Sequence, residues 1–244
     1  MESFGKPLDK EYVETRARWE RLAEVTQTKG TGEAHPFLPP NDEFADFELW
    51  DKGNLDGSVA KKKEMLEFEY ARSALKNGLK LEEKFGTNPY KFGMVGSTDS
   101  HTGLTSVEQE NFFGKVAAQE PSPERLSRVF FDDPKTGVKV MDWEAGAAGL
   151  AGVWANENTR ESIWDAMERN ETYATTGTRI MVRFFGGWEF EPKDATDRMP
   201  ASIGYAKGVP MGGDRRARRP ANRPPSSWGR SKTPSARTST VSRS

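Results

Sequence analysis

Cysteine is absent from this 244-residue chain, which excludes a disulfide framework and any thiolate metal site. Histidine is limited to His35 and His101. Apolar residues are also scarce, at 34% of the chain with a mean hydropathy of -0.80, low for a compact enzyme, so part of the length is expected not to fold. No stretch approaches the roughly 18 to 20 consecutive apolar residues of a membrane-spanning helix. Met1-Glu2-Ser3-Phe4-Gly5 lacks the basic-then-apolar layout of a signal peptide, so no export or anchoring signal is visible and the compartment stays open. Acidic residues are missing from 215–244, which carry nine Lys/Arg; the rest of the chain therefore holds 27 basic against 37 acidic residues, a net of -10. An acidic body of that kind argues against nucleic-acid binding.

What is present allows one large or two small domains. The chain is organised around Lys91-Phe92-Gly93-Met94-Val95-Gly96-Ser97-Thr98-Asp99-Ser100-His101-Thr102-Gly103. Here a helical segment precedes an aromatic and β-branched run that reads as a buried strand, ending in small polar residues with one carboxylate and one imidazole. Alternation along a strand sends Asp99 and His101 one way and Ser100 the other. Such an Asp-x-His pair is a compact anchor for a divalent metal, the carboxylate supplying charge and the neutral imidazole a nitrogen. The same residues equally suit a helix-capping Asp99 and an ordinary loop histidine. His35 has a comparable setting in Lys29-Gly30-Thr31-Gly32-Glu33-Ala34-His35-Pro36, a glycine-flanked loop with its own carboxylate. Two histidines, each beside an acid in a strand-end loop, read as ligands.

In chain order, residues 8–23 form a charged helix with Trp19 and Leu22 at helical spacing, and 22–27 a short strand. Residues 36–60 are too interrupted by proline and glycine for regular structure; Phe37, Phe44, Phe47 and Trp50 make them an ordered lid or wall, or simple surface packing. The clearest helix spans 62–85, with Gly78 as its one interruption. Strand, helix and strand in succession imply β/α alternation and a parallel sheet or barrel, active at the carboxyl ends of its strands. Pro121-Ser122-Pro123 opens a short helix over 124–129, and small-residue strand packing explains Gly146–Ala155 better than a phosphate loop does. Thr159 is a candidate N-cap for a helix over 161–170. Thr175-Thr176-Gly177-Thr178-Arg179 then reads as a turn before a strand over 180–185, offering hydroxyls, backbone N–H groups and a guanidinium to an oxyanion, or serving as plain turn chemistry.

Several blocks together carry a resemblance: Gly96–His101, the Lys29–Pro36 loop, Asn156–Met167, Glu171–Ile180, Phe184–Trp188 and Tyr205–Asp214. They look like the family labelled domain of unknown function 3604. That family resembles the polymerase and histidinol phosphatase (PHP) superfamily, distorted β/α barrels that hold up to three metal ions for phosphoester hydrolysis. The resemblance implies an α/β fold, a partial PHP-like barrel over 1–179 and the start of a β-rich appendage over 180–214; the Arg/Ser/Pro-rich composition of 215–244, almost without aliphatics, implies a disordered basic tail. The resemblance also implies Asp99 and His101 as catalytic metal ligands, with His35, Glu33 and Glu24 as further ligands. Arg179 with Thr176, and Arg160, would contact a small anionic ester substrate. The implied cofactors are divalent ions, manganese, iron or zinc, that activate a water for hydrolysis. A non-catalytic relative binding an anion or partner is the alternative.

Two departures qualify this. PHP-like barrels begin with a His-x-His pair and another histidine soon after, and neither occurs here, so the chain resembles the carboxyl-terminal part of a barrel and is expected to be weakly active or inactive alone. The motifs also stop after Asp214. A one-base shift turns codons for Phe-Val-Val-Gly into those for Ser226-Ser227-Trp228-Gly229, so a reading-frame slip is expected there.

Overall fold

The computed structural model of the chain describes residues 2–3, 5–101, 122–145 and 149–214. It divides into two units, Met1–Arg179 and Ile180–Ser244.

The first unit opens with a short antiparallel pair, β1 (Glu2–Ser3) and β2 (Lys6–Pro7). Helix α1 (Lys10–Trp19) starts where the Asp9 carboxylate accepts the Tyr12 N–H at 2.8 Å, satisfying one of the donors that a helix start leaves open. Its apolar side buries Val13 completely against Leu8 and Leu81, with Tyr12, Phe85 and Tyr90 at the rim.

Strand β3 (Leu22–Gln27) follows, hairpins into β4 (Gly30–Thr31), and lies at the centre of a three-stranded sheet ordered β4-β3-β5. β5 (Gly93–Gly96) pairs with β3 in parallel, Leu22 opposite Gly93 and Glu24 opposite Val95. A parallel pair needs a long crossover, supplied here by the loop after β4, α2 (Lys63–Leu66) and α3 (Ala71–Phe85).

The single helix expected over 62–85 is therefore two. Its break has a visible cause: the first N–H groups of α3, on Ala71 and Arg72, donate to the carbonyls of Gly32 (2.8 Å) and Glu33 (3.0 Å). The loop backbone caps the helix and fixes its start at Tyr70. Gly78, the interruption within α3, is where the Asn88 side chain packs too close for any Cβ.

Beyond β5 come a hairpin, β6 (Val129–Asp133) with β7 (Val138–Met141), and an antiparallel pair, β8 (Leu150–Val153) with β9 (Thr172–Thr175). Helix α4 (Arg160–Glu168) joins β8 to β9, and the Thr159 hydroxyl caps it by accepting the Ser162 N–H at 3.3 Å. Three local expectations need correction. The helix over 124–129 is a single unpropagated turn, Ser127 and Arg128 both donating to the Glu124 carbonyl, before Val129 enters β6. The turn expected over 175–179 starts one residue later, Thr175 being the last residue of β9, whose residues 172–175 are strand because Leu150–Val153 offers them a partner. Among the described residues only the β3–β5 ladder is parallel; the others are antiparallel. Trp50 packs on Phe131 (centroids 6.1 Å apart), so that part of the 36–60 loop is a wall, whereas Phe44 is 82% exposed.

The second unit contains β10 (Phe185–Gly186), a 3-10 turn at Pro192–Thr196, α5 (Pro200–Lys207) and β11 (Val209–Pro210), which pairs antiparallel with β10. The strand expected over 180–185 is confined to Phe185 at its end. Residues 102–121 and 215–244, including the expected basic tail, lie outside the described residues. The architecture is mixed α/β with small sheets, and among the described residues no closed barrel forms. No described helix is long and apolar enough to cross a membrane.

Gly96 sits against the backbone of β8: a Cβ there would lie 2.9 Å from the Leu150 carbonyl oxygen and 2.7 Å from Thr26 Cγ2. Gly96→Ala is expected to destabilise the chain by about 1–3 kcal/mol, as overpacking against backbone does. Thr159→Ala should cost about 1 kcal/mol through the lost cap. Chemical denaturation of the two variants measures both.

Candidate functional site

Parallel pairing sets the carboxyl ends of β3 and β5 side by side. The pairing extends one residue past β5, where the Ser97 N–H donates to the Thr26 carbonyl at 3.0 Å. The Ser97 hydroxyl donates to the Glu24 carboxylate, which stands exposed on β3. The chain then turns. Asp99 takes φ +48°, in the left-handed region that Asp tolerates better than most residues. This turn, and not strand alternation, brings the carboxylate back onto its neighbour: Asp99 Oδ1 lies 3.0 Å from His101 Nε2.

The other carboxylate oxygen of Asp99 receives the Lys29 ammonium. Lys29 comes from the turn between β3 and β4, and its side chain and that of Asp99 are each only 19% exposed. His101 reaches outward, at 57%. A partly desolvated carboxylate is thus bracketed by an ammonium and an imidazole, an arrangement suited to holding a cation or orienting a base. Lys29 was not among the residues singled out from sequence, because nothing local links positions 29 and 99; only the register of β3 against β5 does so.

His35 has different partners. Its Nδ1 accepts the Phe37 N–H at 3.0 Å, so that nitrogen carries the lone pair and Nε2 carries the proton, donated to Asp51 Oδ2 at 3.1 Å. The buried ring also packs on Tyr70, with centroids 5.5 Å apart. With both nitrogens engaged, His35 would have to surrender a bond to ligate a metal. Glu33 is exposed and paired with Arg72, which also binds Asp42 at 2.5 Å. Among the described residues no group of three or more His, Asp or Glu side chains is arranged to hold a metal ion. Arg160 is the exposed first residue of α4, Thr176 lies exposed just after β9, and Arg179 is exposed at the end of the first unit.

The electrostatics of the His35 side follow from these contacts. Burial, then the charges of Asp51 and Glu69, push the Tyr70 hydroxyl up to about 12. The Arg72 guanidinium, helped by the Phe44 N–H, holds the Asp42 carboxyl below its ordinary 3.8. Because the folded value is the lower one, the stability this pair contributes is present above the unfolded pKa and is lost as pH falls through the folded one. An NMR titration of the Asp42 carboxyl carbon should therefore give a midpoint below 3.8, and Arg72→Gln should move it back towards about 3.9.

Comparison with known proteins gives the chain its relatives. A protein of Chlamydia trachomatis serovar D (strain ATCC VR-885 / DSM 19411 / UW-3/Cx), described as "Uncharacterized protein", is 33% identical over 97 residues. That stretch covers 38% of this chain and 14% of the relative, so the chain spans a small part of that protein's length. No solved structure matches the chain. A family's sequence signature matches residues 1–227, continuing past Asp214, where the resemblance was expected to stop. The chain belongs to the family described as Protein of unknown function (DUF3604).

Proposed function

We propose that the chain is part of a metal-dependent hydrolase of phosphate or related anionic esters, with its strands forming part of a distorted β/α barrel of PHP type. The observation that carries this is the 3.0 Å separation of Asp99 Oδ1 and His101 Nε2 beyond the carboxyl end of a parallel strand. As it stands that contact is a hydrogen bond; two donors at a right angle on one octahedral ion, each about 2.1 Å from it, would stand about 3 Å apart as well, so an ion would take the place of the shared proton with little change in their separation. The donor chemistry also fits, one hard anionic oxygen and one imidazole nitrogen suiting manganese, iron or zinc.

When bound, such an ion lowers the pKa of a coordinated water and polarises an ester oxygen. Asp99 would supply the charge that offsets the ion, and His101 would give up its hydrogen bond to that carboxylate to ligate beside it, the left-handed turn at Asp99 keeping the two side by side. Glu24, within β3 and tied to Ser97 just past the end of β5, is a further candidate ligand. Arg179, Thr176 and Arg160 are the candidate contacts for the ester's anionic oxygens. Two donors alone grip a divalent ion weakly, so low activity is expected of this chain by itself.

A non-catalytic relative that binds an anion or partner through the exposed Arg160 and Arg179 is the second reading; the Lys29 ammonium that already neutralises Asp99 weighs towards it by leaving less charge for a metal. Metal binding separates the two. Equilibrium dialysis of the chain against Mn²⁺ and Zn²⁺ should show binding that Asp99→Ala and His101→Ala each weaken by about tenfold or more, since even outer-shell losses cost 10–100-fold. A wild-type chain that retains no ion leaves the anion-binding reading.

A further inference from the structure

The Lys29–Asp99 ion pair has the geometry of a built feature, not of a wandering surface lysine. Lys29 sits at the tip of the β3–β4 hairpin, where Thr26 pairs with Thr31 and Gln27 with Gly30. The hairpin is clamped from outside. The Thr31 N–H donates to the Glu48 carbonyl at 2.8 Å, and Gly30, at φ +95°, leaves room for that carbonyl where any Cβ would collide with it. The Lys29 N–H is held in turn by Gln27 Oε1 at 3.2 Å. A backbone held this firmly roots the flexible lysine stem within reach of Asp99, and its ammonium rests on the oxygen that His101 does not use.

An ammonium and a divalent ion on one small carboxylate repel each other, and the site's low exposure keeps water from screening them. We infer that Lys29 is a tethered cation that occupies Asp99 in competition with the divalent ion, holding the carboxylate in place until the ion binds and then leaving it. This rests on the metal-site reading above. It differs from the opposite role, in which a lysine on the spare oxygen of a ligating carboxylate strengthens the site as an outer-shell partner. The two roles predict opposite signs.

The test is a titration of the full chain with Zn²⁺ and with Mn²⁺ at one fixed pH, comparing wild type, Lys29→Met, Lys29→Gln and Asp99→Asn. Removing the tethered cation should tighten binding at least tenfold in both Lys29 variants, whereas Asp99→Asn should lose it. Unchanged or weakened binding in the Lys29 variants, with wild type still binding through Asp99, overturns the inference and leaves the metal site standing. Absence of binding in wild type and both variants, or full binding by Asp99→Asn, overturns both. A second measurement needs no variant. In the wild-type chain, mass-spectrometric mapping of acylation by an amine-reactive ester should show Lys29 labelling rise severalfold on adding either metal while the other lysines stay constant. Lys29 labelling that does not respond in a chain that binds the metal overturns the inference.

Discussion

Parallel pairing between β3 and β5 is the constraint from which the site follows. Leu22 opposite Gly93 and Glu24 opposite Val95 set a register that brings Glu24 within reach of Ser97 and leaves Asp99 just past the carboxyl end of β5. The ladder is short, and an irregularity interrupts it between Glu24 and Thr26. It is held by what surrounds it: α1 and α3 close over Val13 and Leu81, and glycines at 93, 96 and 149 admit β8, β9 and neighbouring backbone to van der Waals contact. Shifting β5 by one residue would turn every side chain on it to the other face and part Asp99 from Lys29.

Apolar material is thin in this chain, and polar contacts and close packing take a correspondingly larger share. The principal buried cluster has three members, Leu8, Val13 and Leu81, while Trp19, Phe44, Leu126 and Trp164 are each at least 66% exposed. Polar groups fill the places apolar ones leave. His35 serves two hydrogen bonds at once, and Arg72 ties the 30–42 segment to the start of α3 through Glu33 and Asp42. The buried hydroxyls of Thr28, Thr172 and Thr175 have no partner among the described residues, each such group costing about 1–3 kcal/mol. A fold of this composition has little reserve, which makes the close approach at Gly96 and the cap at Thr159 matter more than they would in a larger core.

The His35 and Asp99 networks show how residue type and role separate. In sequence the two histidines look equivalent, each next to an acid in a strand-end loop. In three dimensions Nδ1 and Nε2 of His35 are both spent on the loop that carries it, while His101 shares one carboxylate with a lysine and turns largely to solvent. The first arrangement organises a loop. The second presents groups that chemistry can use.

The amino-acid sequence by itself determined the local elements and the family: β3 over 22–27, α4 with its Thr159 cap, and a strand leading to the Asp-x-His turn. Each depends on neighbours within a few residues, through periodicity, capping or turn chemistry, and such signals survive without knowledge of the fold. Tertiary structure alone decided the break before α3, the pairing of residues 172–175 as a strand, and the meeting of Lys29 with Asp99. Those depend on partners tens of residues away, a carbonyl at 32, a strand at 150–153 and a hairpin tip at 29, whose positions are set by strand register and crossover and leave no local trace.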